Sequence, residues 1–242
     1  MYGIPEGGGI FGDLERSLAS AWASRSWTTD LPNRLMDAFR GSVPADGAAL
    51  LFAADASRLS LHAVCTSPGL PERVEDLQEV LGEGPATEAF KTRRPVLVPD
   101  LGSTDPRWVA FSGEVTRDRG RAMYAFPLEI GTVRIGVLDL YQLRPRVPTA
   151  RDVVAAAVAA EVIAGGLLDV LESSSGADGL GPWYDRRGRF MIMQRATSTI
   201  AAQLNVSTEE AGQRLRAHAF GTGRPLSDVV ADASTGRLRL ER

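Results

Sequence analysis

The sequence predicts an α+β fold in which an antiparallel sheet flanked by helices is followed by an all-helical unit. Strand patterns pair as hairpins at 47–66 and 122–142, and helical patterns gather between them and at the ends. Residues 178–242 have helical patterns and carry 10 arginines against 7 acids, whereas residues 1–177 carry 17 basic and 23 acidic residues. A Ser/Gly cluster at 173–179 separates these regions and is typical of a linker.

Composition places the chain among ordinary folded proteins. A length of 242 residues suits two units, and 44% hydrophobic with 24% charged residues excludes a mainly disordered chain. One Cys and 2 His exclude a Cys-rich zinc finger and a disulfide framework. Residues 1–12 lack the pattern of a signal peptide, and the run 153–171 is too weakly apolar for a membrane span. We therefore expect a cytoplasmic protein that does not enter a membrane.

The elements of the acidic region follow from hydrophobic periodicity. Apolar residues near helical spacing predict helix within 13–39. Apolar runs and alternation predict five strands, at 47–54, 58–66, 95–98, 122–130 and 132–142. Helices are predicted at 71–80, at 85–90 after a Gly-Glu-Gly turn, and at 149–171. The hairpin pairing makes the predicted sheet antiparallel.

The basic region is predicted to be a compact three-helix unit. Its first helix, at 183–204, has apolar residues three and four positions apart. Ser207 and Glu210 form a capping box at the start of the second helix, which is expected to stop near Gly223. Pro225 suits the first turn of a third helix.

The sequence shows no pattern of catalytic or metal-binding residues. His62 is expected to be an ordinary sheet residue, and Cys65 a buried core thiol. Residues 82–85 lack the Lys-Ser/Thr pair of a phosphate-binding loop and predict a tight turn before a helix. Glu75 and Asp76 are expected to be exposed helix charges. The sequence thus predicts neither an enzyme nor a metal site.

The arginines of the basic region are its most informative charge pattern, because the guanidinium offers a planar donor fork for phosphate and a face for stacking. The candidate nucleic-acid contacts are Arg189, Arg195, Arg214, Arg216, His218 and Arg224. Arg214 and Arg216 point about 160° apart on one helix. Glu210 precedes Arg214 by four residues, so Arg214 is expected to pair with it and Arg216 to be a structural residue or a nucleic-acid contact. A solvated helical face is the alternative interpretation of this mild charge.

Five separated segments resemble a GAF sensor domain. They read GEGPATEAF at 82–90, PVLVPDL at 95–101, DPRW at 105–108, AFPL at 125–128 and IGVL at 135–138. The resemblance covers about 30–172, after an N-terminal helical segment at 1–29. It implies that this domain senses a small molecule, a redox state or a partner. The ligand stays unknown, and the sequence requires no cofactor.

The basic region resembles an ANTAR domain, an RNA-binding antiterminator module. The segments that carry this resemblance are QRAT at 194–197, IAAQL at 200–204, RLRAHAF at 214–220 and RPLSDV at 224–229. It covers about 189–240 and sets a domain at 182–242 after a linker at 173–181. Ser198 and Val230 stand where the family usually has Gly and Ala. These departures bear on the third helix and on RNA binding.

Together the two resemblances imply a signal-responsive transcription regulator. It would bind paired RNA hairpins in nascent transcripts and prevent termination, as a homodimer with 149–171 and 13–39 as the leading contact helices. Two alternatives remain at this point. One is a ligand-binding or protein-interaction module whose ANTAR-like domain no longer binds RNA, and the other is a DNA-binding regulator built on a helix-turn-helix-like unit.

Overall fold

The computed structural model describes residues 10–23, 31–39, 42–55, 60–66, 72–115, 121–173, 195–224 and 226–240. The first part contains α1 (Ile10–Ala23), α2 (Leu31–Phe39), β1 (Gly47–Asp55), β2 (Ser60–Thr66), α3 (Glu72–Leu81), α4 (Pro85–Thr92), β3 (Val96–Val98), α5 (Val109–Val115), β4 (Ala122–Ile130), β5 (Val133–Gln142) and α6 (Ala150–Ser173). The second part contains α7, helical over 195–204, then α8 (Thr208–Thr222) and α9 (Leu226–Ser234).

The five strands form one sheet in the order β2-β1-β5-β4-β3. All four neighbouring pairs are antiparallel, which confirms the predicted sheet. The predicted strand ends differ from the observed ones by at most one residue where the structure describes them. Residues 58 and 59, predicted to begin the second strand, lie outside the described residues.

Alternation along the strands gives the sheet two buried faces with different coverings. On one face, which we call the closed face, Leu138 and Leu140 of β5 lie in an apolar cluster with α1, α2 and α6. On the other, which we call the site face, Val137 and Tyr141 of β5 pack with α3, α4 and α5. Helices therefore cover both faces of the antiparallel sheet.

The helices of the first part correct the predicted pattern in three places. The pattern at 13–39 belongs to two helices, α1 and α2, and residues 24–30 between them are outside the described residues. Helix α5 was not predicted, because seven residues are too few for a periodic pattern. It is fixed to the site face by Phe111, whose ring meets that of Trp108 edge-on at 6.2 Å between centroids. Helix α6 reaches Ser173, the first residue of the predicted linker.

The second part has its own apolar core, which includes Ile200 of α7, Leu215 of α8 and Val230 of α9. Ser207 caps α8 by accepting a hydrogen bond from the Glu210 amide at 3.1 Å, and Gly223 ends it at φ 64°. Only this half of the predicted capping box is observed. The Glu210 carboxylate binds a side chain one turn further along α8 instead of reaching back.

The two parts contact each other through α3 and α8. Val80 of α3 packs against the core of the helical unit. In the stretches of chain that the structure describes, every helix falls short of the length and apolar character needed to cross a membrane.

Candidate functional site

Helix α3 is central to the candidate site because one of its faces packs on the sheet and the other contacts the helical unit. Val74, Glu75 and Gln78 face the sheet and are buried. Residues three or four positions apart share a helix face, so Glu75 and Gln78 lie side by side there. Glu79 and Val80 are half-buried on the other side, where Val80 contacts the helical unit.

Two carboxyl groups meet under α3. Glu75 is 3% exposed and Asp139, from the middle of β5, is 0% exposed. The Tyr141 hydroxyl donates a hydrogen bond to Glu75, and the Gln78 amide nitrogen donates to Glu75 Oε2 at 3.1 Å and to Asp139 Oδ2 at 3.3 Å. The expectation that Glu75 is an exposed helix charge is therefore wrong, because Val74 and Gln78 place its face on the sheet. Asp76 is exposed, as expected.

Burial decides the ionisation of this carboxyl pair. It raises the pKa of Glu75 from 4.5 to about 7, although the hydrogen bonds from Tyr141 and Gln78 act in the opposite direction. Burial also raises the pKa of Asp139 well above its ordinary value, and the negative charge of Glu75 adds to that effect. Two buried carboxylates side by side disfavour double ionisation, so the pair retains a proton near neutral pH.

Gln78 connects the carboxyl pair to the start of α4. Its side-chain oxygen accepts a hydrogen bond from the Ala86 amide at 2.8 Å. Only glycine suits position 84 beside this contact. Gly84 has φ 130°, and a Cβ added there would lie 2.8 Å from the same Gln78 oxygen. Pro85 follows in the first turn of α4, which confirms the predicted turn before a helix. The turn at 82–85 therefore positions this polar cluster.

A small cavity lies beside Gln78, between the β1–β2 edge of the sheet and helices α3 and α4. Its volume is about 20 Å³, which is room for roughly one water molecule. Leu51, Leu61 and Ala86 supply apolar wall, and Thr87 and Gln78 supply polar wall. Glu79 and, from α8, Arg216 complete the lining.

Arg216 of α8 therefore lies where the two parts of the chain meet, next to α3. It is half-buried, and burial lowers the pKa of its guanidinium while the opposite charge of Glu79 raises it. Arg216 was expected to be a structural or RNA-contacting residue; the structure places it at this contact, and its role toward RNA stays a prediction. Its partner surface on α3 was not predicted.

The other candidate nucleic-acid contacts have varied surroundings. Arg214 pairs with Glu210 at 2.8 Å, which confirms the predicted pair. Arg224 pairs with Asp232 at 2.6 Å. Arg195 is exposed at the described start of α7, and His218 is half-buried one turn after Arg214. Arg189 lies outside the described residues.

Sequence reasoning missed the carboxyl pair, although a signal was present. Asp139 is an acid in the middle of the apolar strand run GVLDLYQ, and period-two alternation puts it on the same face as Val137 and Tyr141. The side chains of His62 and Cys65 lie outside the described set, so their predicted roles stay predictions. No group of three or more His, Cys, Asp or Glu within the described ranges is arranged to hold a metal ion.

Comparisons with known proteins bear on the first part. The family model of the GAF domain matches residues 29–167 of this sequence, and helices α7–α9 lie beyond that range. The GAF domain of a phosphoenolpyruvate-protein phosphotransferase from Coxiella burnetii is similar, with a TM-score of 0.51 and 14% identity over 69% of this chain and 99% of that one. The A. aeolicus nlh2 GAF domain in an inactive state has a TM-score of 0.50 and 10% identity, over 65% and 95%. At these identities the likeness concerns the fold alone. No curated protein matches the sequence.

Proposed function

The chain belongs to the GAF domain family, and from this premise we propose that it is a signal-responsive transcription regulator. In this proposal the GAF domain senses a small molecule. The helical unit, which resembles an ANTAR domain, binds RNA hairpins in nascent transcripts and prevents termination. The observation that carries the proposal is the docking of α8 on α3, because α3 also holds the buried polar cluster of the sensor. A change at the sensor cavity is therefore transmitted directly to the helical unit.

The exposed arginines of the helical unit are the proposed RNA contacts. Arg195 is exposed, and the pairs that Arg214 and Arg224 make with Glu210 and Asp232 are partly exposed. Exposed ion pairs contribute only about 0–1 kcal/mol, so exchange of either acid for an RNA phosphate costs little. His218 lies one turn from Arg214 and extends the same face.

Arg216 has a different place in the proposal. While α8 is docked, this side chain lies against α3 and is withheld from RNA. Release of α8 exposes one more guanidinium to phosphate. The docked arrangement is therefore the weaker RNA-binding state.

We further propose a homodimer through α6, a cytoplasmic location and no enzymatic activity. The apolar sides of α1 and α6 are largely used within the chain, since Leu14, Leu18 and Ile163 are each 1% exposed. The positions of α6 that remain exposed for a second copy include Arg151, Val154, Ala157, Glu161 and Gly165. The apolar surface that is left for a dimer contact is therefore smaller than the sequence pattern predicts.

The second candidate function is a sensor whose helical unit no longer binds RNA. It is favoured by the engagement of Arg214, Arg216 and Arg224 in contacts within the chain. Its helices would then serve only to report on the sensor or to bind a protein.

A titration of the full chain with a two-hairpin RNA at several salt concentrations separates the two candidates. The regulator proposal expects binding that weakens with salt, and a salt slope that falls by about one unit in Arg224→Ala and in Arg195→Ala. Lys91→Ala, on exposed α4 surface of the sensor, is the matched control and keeps the parental slope. Absence of hairpin binding by the parent chain would leave the second candidate.

A further inference from the structure

One of the side chains that line the cavity beside Gln78 is an arginine from the helical unit. Arg216 reaches it from α8, across the contact between the two parts of the chain. Of the described residues that line the cavity, Arg216 is the basic one and Glu79 the acidic one. The remaining volume of about 20 Å³ is too small for an organic ligand beside Arg216.

A second observation concerns what lies behind the cavity wall. Gln78 lines the cavity and donates a hydrogen bond to Asp139, so the carboxyl pair is one hydrogen bond away. Asp139 is fully buried, and its Oδ1 accepts no hydrogen bond within the described structure. Glu75 adds a second carboxyl group at the same place.

The sign of charge that suits this cavity follows from these neighbours. A buried charge is costly unless an opposite charge accompanies it. Glu79 in the wall and the carboxyl pair behind Gln78 both favour a cation. An anion could pair with Arg216 but would face Glu79 as well. Removal of Arg216 therefore leaves a cavity that is complementary to a positive group.

We propose that this cavity is a binding site for a small organic cation of the guanidinium or alkylammonium class, and that Arg216 is its tethered occupant. Free cation and Arg216 then exclude each other, because the cavity accommodates one of them. Binding of the cation displaces Arg216 and loosens α8 from α3. The proposal deepens the proposed function, on which its regulatory consequence rests, by naming the ligand class of the sensor.

Methylguanidinium binding to the full chain, followed by isothermal titration calorimetry, tests the proposal. A tethered side chain competes at an effective concentration on the order of millimolar. Arg216→Ala is therefore expected to bind methylguanidinium at least tenfold more tightly than the parent chain. Arg237→Ala removes an exposed arginine of the same unit, paired with Asp232, and should bind like the parent. Methylurea, the neutral isostere, should bind to none of them.

Equal methylguanidinium affinity in the parent and Arg216→Ala would overturn the proposal, and so would equal binding of methylurea. If far-ultraviolet circular dichroism shows that Arg216→Ala does not fold, Arg216→Gln decides. It keeps part of the side chain but no charge, and it should bind methylguanidinium at least fivefold more tightly than the parent chain. Unchanged affinity would overturn the proposal. No RNA is present in these measurements. A chain that binds the cation but no hairpin would therefore refute only the antitermination proposal.

Discussion

The two faces of the sheet share the same strands but bury different chemistry. On the closed face, Leu138 and Leu140 lie in an apolar cluster sealed by three helices. One residue away on the same strand, Asp139 and Tyr141 project to the site face and meet Glu75. The closed face buries an apolar cluster, whereas the site face also accepts two buried carboxyl groups and a small cavity. This difference fits the ligand site that we propose for the sensor.

The largest predicted effect comes from a substitution in β5, the strand whose side chains contribute to both faces of the sheet. A Cβ at Gly136 of β5 would lie 2.0 Å from the Leu51 carbonyl oxygen of β1. We expect Gly136→Ala to cost more than about 4 kcal/mol, enough to unfold most of the sensor. Gly113→Ala is the matched control, since open space surrounds that position in α5. Urea denaturation should show Gly113→Ala at or slightly above parental stability, and a parental midpoint for Gly136→Ala would contradict the observed packing of β1 on β5.

A truncation on the closed face should be costly at every pH. Leu138 is 0% exposed in the apolar cluster. We expect Leu138→Ala to lower the free energy of unfolding by about 2–5 kcal/mol, through lost burial and the cavity it leaves. Urea denaturation at pH 5 and at pH 8 should give the same loss. A loss that differed strongly between the two would show that the closed face is coupled to the carboxyl pair.

The carboxyl pair on the site face should instead make the free energy of unfolding depend on pH. The pKa of Glu75 is raised from 4.5 to about 7, so between these values the native chain holds a proton that the unfolded chain has released. The free energy of unfolding therefore falls as pH rises through this window, by up to about 3 kcal/mol for one such group. Above pH 7 the contribution levels off.

Asp139→Asn tests the source of this pH dependence because it removes one of the two carboxyl groups whose pKa is raised. Its free energy of unfolding should decrease less than that of the parent between pH 5 and pH 8. Asp76→Asn, which removes an exposed charge from the same helix, should keep nearly the parental decrease. If Asp139→Asn showed the full parental decrease in urea titrations, the carboxyl pair would not be the source of the pH dependence.

The smallest predicted effect lies in the helical unit. Ser207 caps α8 through the Glu210 amide. We expect Ser207→Ala to destabilise the helical unit by about 1 kcal/mol. Thermal unfolding followed by circular dichroism should show this loss, while Ser198→Ala, at an exposed position of α7, stays at the parental midpoint. A parental midpoint for Ser207→Ala would contradict the assignment of Ser207 as the cap.

The sequence patterns predicted the sheet well because each strand shows its own alternation and each hairpin its own turn. The start of α4 was equally predictable, since Pro85 and the preceding glycines act locally. The carboxyl pair was not predicted, because Glu75 becomes buried only when α3 packs on β5. The same holds for Arg216, whose electrostatic interaction with Glu79 joins residues far apart in the chain. Local pattern thus predicts elements, whereas the candidate site depends on packing between them.

In the proposed regulator, α3 holds α8 in a docked state that withholds Arg216 from RNA. The most direct measurement is the affinity of Glu79→Arg for a two-hairpin RNA at several salt concentrations, against the parent chain. A second arginine beside Arg216 repels it and undocks α8. Asp76→Arg makes the same charge change at an exposed position of α3, so it is the control for contacts that the new arginine makes with RNA, and it should show a smaller gain. We expect Glu79→Arg to bind the RNA more tightly than the parent chain does, with a salt slope about one unit steeper because Arg216 gains a phosphate contact. Parental affinity and slope in a folded Glu79→Arg chain would contradict this proposal.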